Sequence, residues 1–189
     1  MKFLTTALPG VLIIEPDVYR DERGFFLENY HQKKFTDGGL PVRFVQDNHS
    51  RSKQGILRGL HAQLKHPQGK LVRVVRGEVF DVAVDIRRGS PTYKRWVGVN
   101  LSADNFRQCY VPPGFAHGFC VTSGEAEMEY KVTDYYDPAD ELHMIWNDPD
   151  LAIQWPVQNP LLSPKDQAGA RLKEIEHRLP VFDGSGMAI

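Results

Sequence analysis

The chain has 189 residues, enough for one domain with a sizeable core and at most short arms. Its 23 basic and 24 acidic residues leave a formal net charge of -1, which excludes general nucleic-acid binding through a basic surface but allows one anionic ligand held by a local Arg and Lys cluster. Cys109 and Cys120 are too few for a disulfide scaffold and lack metal spacing, so a reducing compartment is expected.

Along the chain, the start carries a charge at Lys2, but Pro9 and Gly10 cut its apolar stretch, and residues 11–14 are too short for the core of a signal peptide. No run approaches the roughly 18 apolar residues of a membrane span. A cytoplasmic protein with no membrane partner is expected. Residues 32–37 suit a short helix. Residues 55–63 read as a strand on which His61 and Gln63 share a face.

Residues 71–75 are strand-like, and the turn-like Arg76-Gly77 predicts a hairpin into residues 78–86. There Phe80, Val82, Val84 and Ile86 alternate with residues that include Asp81 and Asp85, the period of a half-buried strand. Residues 95–101, 108–111, 118–122 and 126–133 add four more strands, punctuated by Gly89-Ser90-Pro91 and Pro112-Pro113-Gly114. On the last of them Tyr130 shares the apolar parity of Met128 and Val132. A helix is predicted over residues 163–175, with Ser163 as cap, Pro164 in the first turn and Asp166 three residues on. Many short strands with few helices predict a mainly β sandwich or barrel in a single domain over residues 1–189.

The residues that could carry chemistry cluster in a few places. His61 and His117, the latter after a Pro-Gly turn, stand where a cupin barrel places metal ligands. Gln63 replaces a second His, no acid follows at the expected distance, and Lys70 opposes a cation, so no metal is expected. A histidine ordinarily titrates near neutrality, which suits His61 to taking a proton from carbon beside a carbonyl. An inward Tyr130 is suited to general acid work, and the Lys70 ammonium to an oxyanion. Asp166 is the candidate to fix the His61 tautomer. Each also has a structural reading. A lone inward His or Tyr can be a hydrogen-bonded core residue, Lys70 a solvated strand end, His117 a filler after its turn, and Asp166 a helix cap.

Several blocks occur in a telling order. They are Asp21-Glu22-Arg23-Gly24-Phe25-Phe26-Leu27-Glu28, Gln46-Asp47-Asn48-His49-Ser50, Leu57-Arg58-Gly59-Leu60-His61-Ala62-Gln63 and Gly69-Lys70-Leu71-Val72-Arg73. Pro112-Pro113-Gly114-Phe115-Ala116-His117, Tyr130-Lys131, Tyr135-Tyr136-Asp137-Pro138, Glu141 and Leu162-Ser163-Pro164-Lys165-Asp166 follow. Together they resemble the dTDP-4-dehydrorhamnose 3,5-epimerase family over almost the whole length.

The resemblance implies a cupin-type antiparallel β-barrel, or jelly roll, with a few short helices, one at the C-terminus from about residue 163. It implies inversion of C3 and C5 of a dTDP-4-keto-6-deoxy sugar without metal or other cofactor. His61 would be the base, Asp166 its polarising partner, Tyr130 the acid on the opposite face and Lys70 the enolate stabiliser. Arg23, Phe26, Glu28, Gln46, Asn48, Arg58, His117, Tyr136, Glu141 and Lys165 would line the nucleotide-sugar site, with Arg23 and Arg58 suited to the diphosphate and Tyr136 to stacking on the base. A homodimer is implied in which an N-terminal arm, about residues 1–30, crosses to the partner. One departure stands out. The family tends to place a proline soon after Lys165-Asp166, whereas this chain reads Gln167-Ala168-Gly169-Ala170-Arg171, so its C-terminal helix is expected to run differently. The alternatives are inversion of one centre in another deoxysugar pathway, a metal-dependent cupin oxygenase and a non-catalytic sugar-nucleotide binder.

Overall fold

The computed structural model describes residues 1–184. The expected single unit reaches residue 189, so its last five residues lie outside that span. The described strands are β1 (Lys2–Thr5), β2 (Leu12–Glu15), β3 (Val18–Asp21), β4 (Gly24–Leu27), β5 (Gln46–Lys53), β6 (Leu57–Gln63) and β7 (Lys70–Arg76). They continue with β8 (Glu78–Asp85), β9 (Trp96–Ser102), β10 (Gln108–Val111), β11 (Phe115–Val121), β12 (Glu125–Val132) and β13 (Glu141–His143). The helices are α1 (Gln32–Asp37), α2 (Pro164–Gln167) and α3 (Leu172–Ile175).

One antiparallel sheet runs β1-β2-β10-β7-β12-β5, the other β13-β6-β11-β8-β9, and β3 and β4 form a separate two-stranded hairpin. The two large sheets face each other around a core that takes Val72 and Met128 from the first and Val79, Phe115 and Phe119 from the second. This is the expected cupin-type jelly roll. Each sheet is also covered outside. Val82, Val84 and Ile86 pack against Leu151, Leu172 and Leu179 from the C-terminal third, and Leu12, Ile14 and Tyr110 pack on Phe35 of α1.

Three local expectations are corrected. β7 and β8 do not form a hairpin. They lie in different sheets, and Arg76-Gly77 is a tight crossover between them. Gly77 has φ +72°, and a Cβ there would sit 1.9 Å from the Glu125 carbonyl oxygen, so this step from sheet to sheet requires glycine. β8 is not half-buried either. Its even residues meet the C-terminal cover, while Val79, Asp81 and Ala83 are buried on its other face, Val79 and Ala83 in the barrel core.

The helix expected over residues 163–175 is two short ones. Between them Gly169 N–H bonds the Asp166 carbonyl, Ala170 bridges to Met144, and a Gly169 Cβ would lie 2.7 Å from the Met144 carbonyl carbon. The segment without its proline thus leaves the helix to pair with the chain after β13.

Candidate active site

The site begins with a dislocation in β6. His61 stands opposite His117 of β11, and Arg58 opposite Phe119, so one residue more is spent on β6 than on β11. This bulge resets the side-chain alternation, and Arg58 and His61, three apart, line one cavity. Gly59 permits it. At φ +114° a Cβ would stand 2.6 Å from Gly118 Cα and 2.7 Å from the His117 oxygen.

The cavity has a volume of about 350 Å³. Its six-stranded wall supplies Gln46 and Asn48 from β5, Lys70 from β7 and Tyr130 from β12. Its five-stranded wall supplies Arg58 and His61 from β6, His117 from β11 and Glu141 from β13. Tyr136, 45% exposed, joins them. The lining therefore brings together nine residues that the sequence singled out.

Behind His61 stands the buried Asp166, with Oδ1 2.5 Å from His61 Nε2. Ser163 donates its hydroxyl to Asp166 Oδ2 at 2.7 Å, and the Gly59 N–H donates to Oδ1 at 3.3 Å. Burial by itself raises the Asp166 pKa, but the hydrogen bonds from His61, Ser163 and Gly59 and the His61 charge outweigh it and hold the carboxyl below its usual range. Asp166 also sits in the first turn of α2, where the Ser163 hydroxyl accepts its backbone N–H at 3.2 Å. Asp166 therefore makes both the cap contact with Ser163 and the contact with His61. With Nε2 engaged, Nδ1 is the His61 nitrogen left to accept a proton.

The opposite wall is electrostatically different. Burial lowers the Lys70 pKa, against the pull of Glu141 and Asp81, and the ammonium has no hydrogen bond or ion pair among the described residues. Burial raises the Tyr130 pKa, which keeps the phenol protonated. Glu141 accepts a hydrogen bond from the Tyr136 hydroxyl at 2.9 Å and lies 3.0 Å from His143 Nε2 and 3.6 Å from Lys165 Nζ. Burial tends to raise its pKa, but the Tyr136 bond and the charges of His61, His143 and Lys165 bring it down. Such a cavity offers a carboxylate-backed imidazole on one side of a bound molecule and a protonated phenol with an ammonium on the other.

Five candidates are not in the cavity lining, Asp166 because it stands behind His61. Lys165 is exposed and reaches the site through Glu141 and Tyr136. Arg23, Phe26 and Glu28 lie on or beside the β3–β4 hairpin. Arg23 is paired with Asp21, Glu28 lies 2.8 Å from Lys34, and Phe26 is 70% exposed.

Other residues were overlooked. Gln63, at the position where a metal-binding cupin has a His, donates to the His66 and Tyr135 carbonyls at 2.7 and 3.1 Å and accepts from the Asp137 N–H at 2.9 Å. It is consumed in holding the loop that presents Tyr136. Asp81 is 1% exposed and pairs with His117 Nε2 at 2.8 Å. Its odd parity on β8, read as the outer face of a half-buried strand, is in fact the interior one. His143 lies opposite His61 in the β13–β6 register, their ring centroids 4.8 Å apart. Its sequence signal was the i, i+2 relation to Glu141. The cupin metal donors do not converge, because His61 and His117 each have their own carboxylate and Gln63 is tied to the loop.

A two-sheet barrel with an acid–base cavity between its walls defines a cupin-type enzyme of the proton-transfer kind. The sequence model of the dTDP-4-dehydrorhamnose 3,5-epimerase family matches residues 5–174. The chain is 58% identical to dTDP-4-dehydrorhamnose 3,5-epimerase of Pseudomonas aeruginosa over 171 residues, 89% of this chain and 94% of that one. It is 56% identical to the enzyme of that name from Shigella flexneri, covering 94% and 99% of the two chains. A crystal structure of dTDP-6-deoxy-D-glucose-3,5-epimerase from Legionella pneumophila in complex with dTDP-4-keto-L-rhamnose superposes with a TM-score of 0.93 at 52% identity, covering 96% of this chain and 98% of that chain. The chain belongs to the dTDP-4-dehydrorhamnose 3,5-epimerase family.

Proposed function

We propose that the protein epimerises dTDP-4-keto-6-deoxy-D-glucose at C3 and C5 to dTDP-4-keto-L-rhamnose. The observation that carries the reading is the pairing of His61 with buried Asp166 on one wall of a cavity whose other wall holds Tyr130 and Lys70. A proton beside a ketone is weakly acidic, so its removal needs a base, a stabilised enolate and, for inversion, an acid on the far face. His61 takes the proton at Nδ1, and Asp166 stabilises the imidazolium through Nε2–H. The C4 oxygen, now an enolate, is met by the Lys70 ammonium. Tyr130 returns a proton to carbon from the opposite side; exchange with solvent then takes the proton from His61 and reprotonates Tyr130, and the same chemistry at the second carbon completes the double inversion. The ketone serves as electron sink throughout, so the steps use this chain's own residues.

The remaining cavity residues bind the nucleotide sugar. Arg58 suits the diphosphate and Tyr136 the base ring, while Gln46, Asn48, His117 and Glu141 offer hydrogen bonds around the sugar, and Lys165 reaches the site by way of Glu141. Arg23, Phe26 and Glu28 are proposed to act in the partner's site of a homodimer, carried there by the N-terminal arm. The exposure of Arg23 and Phe26 in a single chain supports this reading. No helix among the described residues is long and apolar enough to cross a membrane, in keeping with a cytoplasmic enzyme.

Proton NMR of the 4-keto-6-deoxyglucose nucleotide in deuterated water tests the proposal. Deuterium entering at both C3 and C5 is expected. Exchange at one carbon would replace it with single-centre inversion, and exchange at neither would leave a binder on the same scaffold.

A further inference from the structure

One polar side chain in the site has no task in this mechanism. His143 Nδ1 is buried without a hydrogen-bond partner, while its Nε2 lies 3.0 Å from the Glu141 carboxylate. A neutral imidazole that donates Nε2–H to a carboxylate holds its Nδ1 lone pair fixed and free, as histidines that ligate metals do.

His61, His143 and Asp166 each offer a ligand atom, and these atoms lie within 4.8 Å of one another. We propose that these three residues form an inhibitory site for a borderline-soft divalent transition metal such as Zn²⁺, taken up in place of the proton between His61 and Asp166. Two imidazoles and one carboxylate form a donor set that zinc accepts at about 2.0–2.2 Å. His61 and Asp166, now 2.5 Å apart, would open to admit the ion, and His143 would turn toward it. Asp166 can keep its bonds from Ser163 and Gly59 while exchanging His61 for the metal. The Asp166 and Glu141 carboxylates offset in part the Lys165 ammonium beside Glu141 and the Lys70 and Arg58 cations that line the same cavity.

Zinc at His61 Nε2 would hold the neutral imidazole as its Nδ1–H tautomer, the displaced Nε2 proton moving to Nδ1, so the lone pair that serves as base is gone and turnover is blocked. That consequence rests on His61 being the base, whereas the binding does not. The test begins with calorimetric titration of the metal-free, full-length protein with ZnCl₂ in the absence of substrate. The wild type is expected to bind Zn²⁺ at this site, and His143→Gln to weaken it by about 10- to 100-fold. Circular dichroism spectra and thermal melts of the two metal-free proteins should coincide, which shows that the variant folds. Added Zn²⁺ should inhibit the wild type, reversibly with chelator, and spare His143→Gln.

Co²⁺ added to the wild type should give the visible bands of a low-coordinate nitrogen–oxygen site, a readout independent of any variant. Absence of those bands, or equal Zn²⁺ affinity in the two proteins, overturns the proposal. An active enzyme indifferent to His143 would be a failure of this site alone. An inactive protein that still binds Zn²⁺ through His143 would be a failure of the epimerase reading instead.

Discussion

The cavity wall and the β3–β4 hairpin both carry residues that the family resemblance singles out, and the chain treats them in opposite ways. His61, Lys70 and Tyr130 are drawn together between two sheets, with Asp166 buried behind them and bonded from three sides. Arg23 and Phe26 stand on an exposed two-stranded ribbon whose partners are its own neighbours, Arg23 with Asp21 and Arg20 over Phe25. A fold can preorganise the first group by itself, because burial and hydrogen bonds fix each side chain. The second group has nothing in one chain to act on. This contrast underlies the proposal that the proton-transfer machinery is complete within a chain and that the hairpin serves a second copy.

Breaking the inner half should have the largest effect. His61→Asn removes the base and should lower kcat by about 10³- to 10⁴-fold, with nucleotide binding by calorimetry largely intact. Undiminished turnover would remove the mechanism. Lys70→Met leaves the enolate oxygen without its cation and should cost about 10²- to 10³-fold in kcat. A change confined to KM would instead make Lys70 a binding group.

The hairpin offers a sharper comparison. Arg23→Ala should raise KM by about tenfold through loss of a charged contact to the diphosphate. Mixing and re-associating Arg23→Ala with His61→Asn should restore activity above that of either variant, because one of the two sites in a mixed dimer would then carry an intact His61 and an intact Arg23. Simple averaging of the two activities would place Arg23 in its own chain's site.

The smallest effect concerns stability in acid. The Asp166 pKa is lower in the folded protein than its ordinary 3.8, so its contribution is present above that value and is lost as pH falls through the folded pKa. Asp166→Asn should therefore be less stable at neutral pH by about 1–3 kcal/mol in urea unfolding. The gap should narrow below about pH 4, and a gap independent of pH would separate Asp166 from this linkage.

Much of this was legible in the sequence, for identifiable reasons. α1 and β10 carry local signals, a short amphipathic turn and an apolar run, and their bounds agree with expectation. The motif around His61 and the Ser163 cap placed the His–Asp pair correctly. β5 was not legible, because its composition, Gln46-Asp47-Asn48-His49-Ser50-Arg51-Ser52-Lys53, is that of a loop. It is a strand because β12 pairs with it along its whole length. The parity of β8 failed because both of its faces are buried, so alternation could not say which one looks inward. His143 and Asp81 were missed for a related reason, since their neighbours in the site come from across the strands, His143 beside His61 and Asp81 bonded to His117, and the spacing of His143 from Glu141 alone does not show this.

The most direct test of opposed walls compares His61→Asn and Tyr130→Phe with the wild type in deuterated water, following the substrate by NMR. The account predicts that Tyr130→Phe still washes deuterium into the substrate without inverting it, because His61 can remove a proton and return one to the same face. His61→Asn should show neither exchange nor inversion. Exchange that survives in His61→Asn, or inversion at full rate in Tyr130→Phe, would contradict a base and an acid facing each other across the cavity.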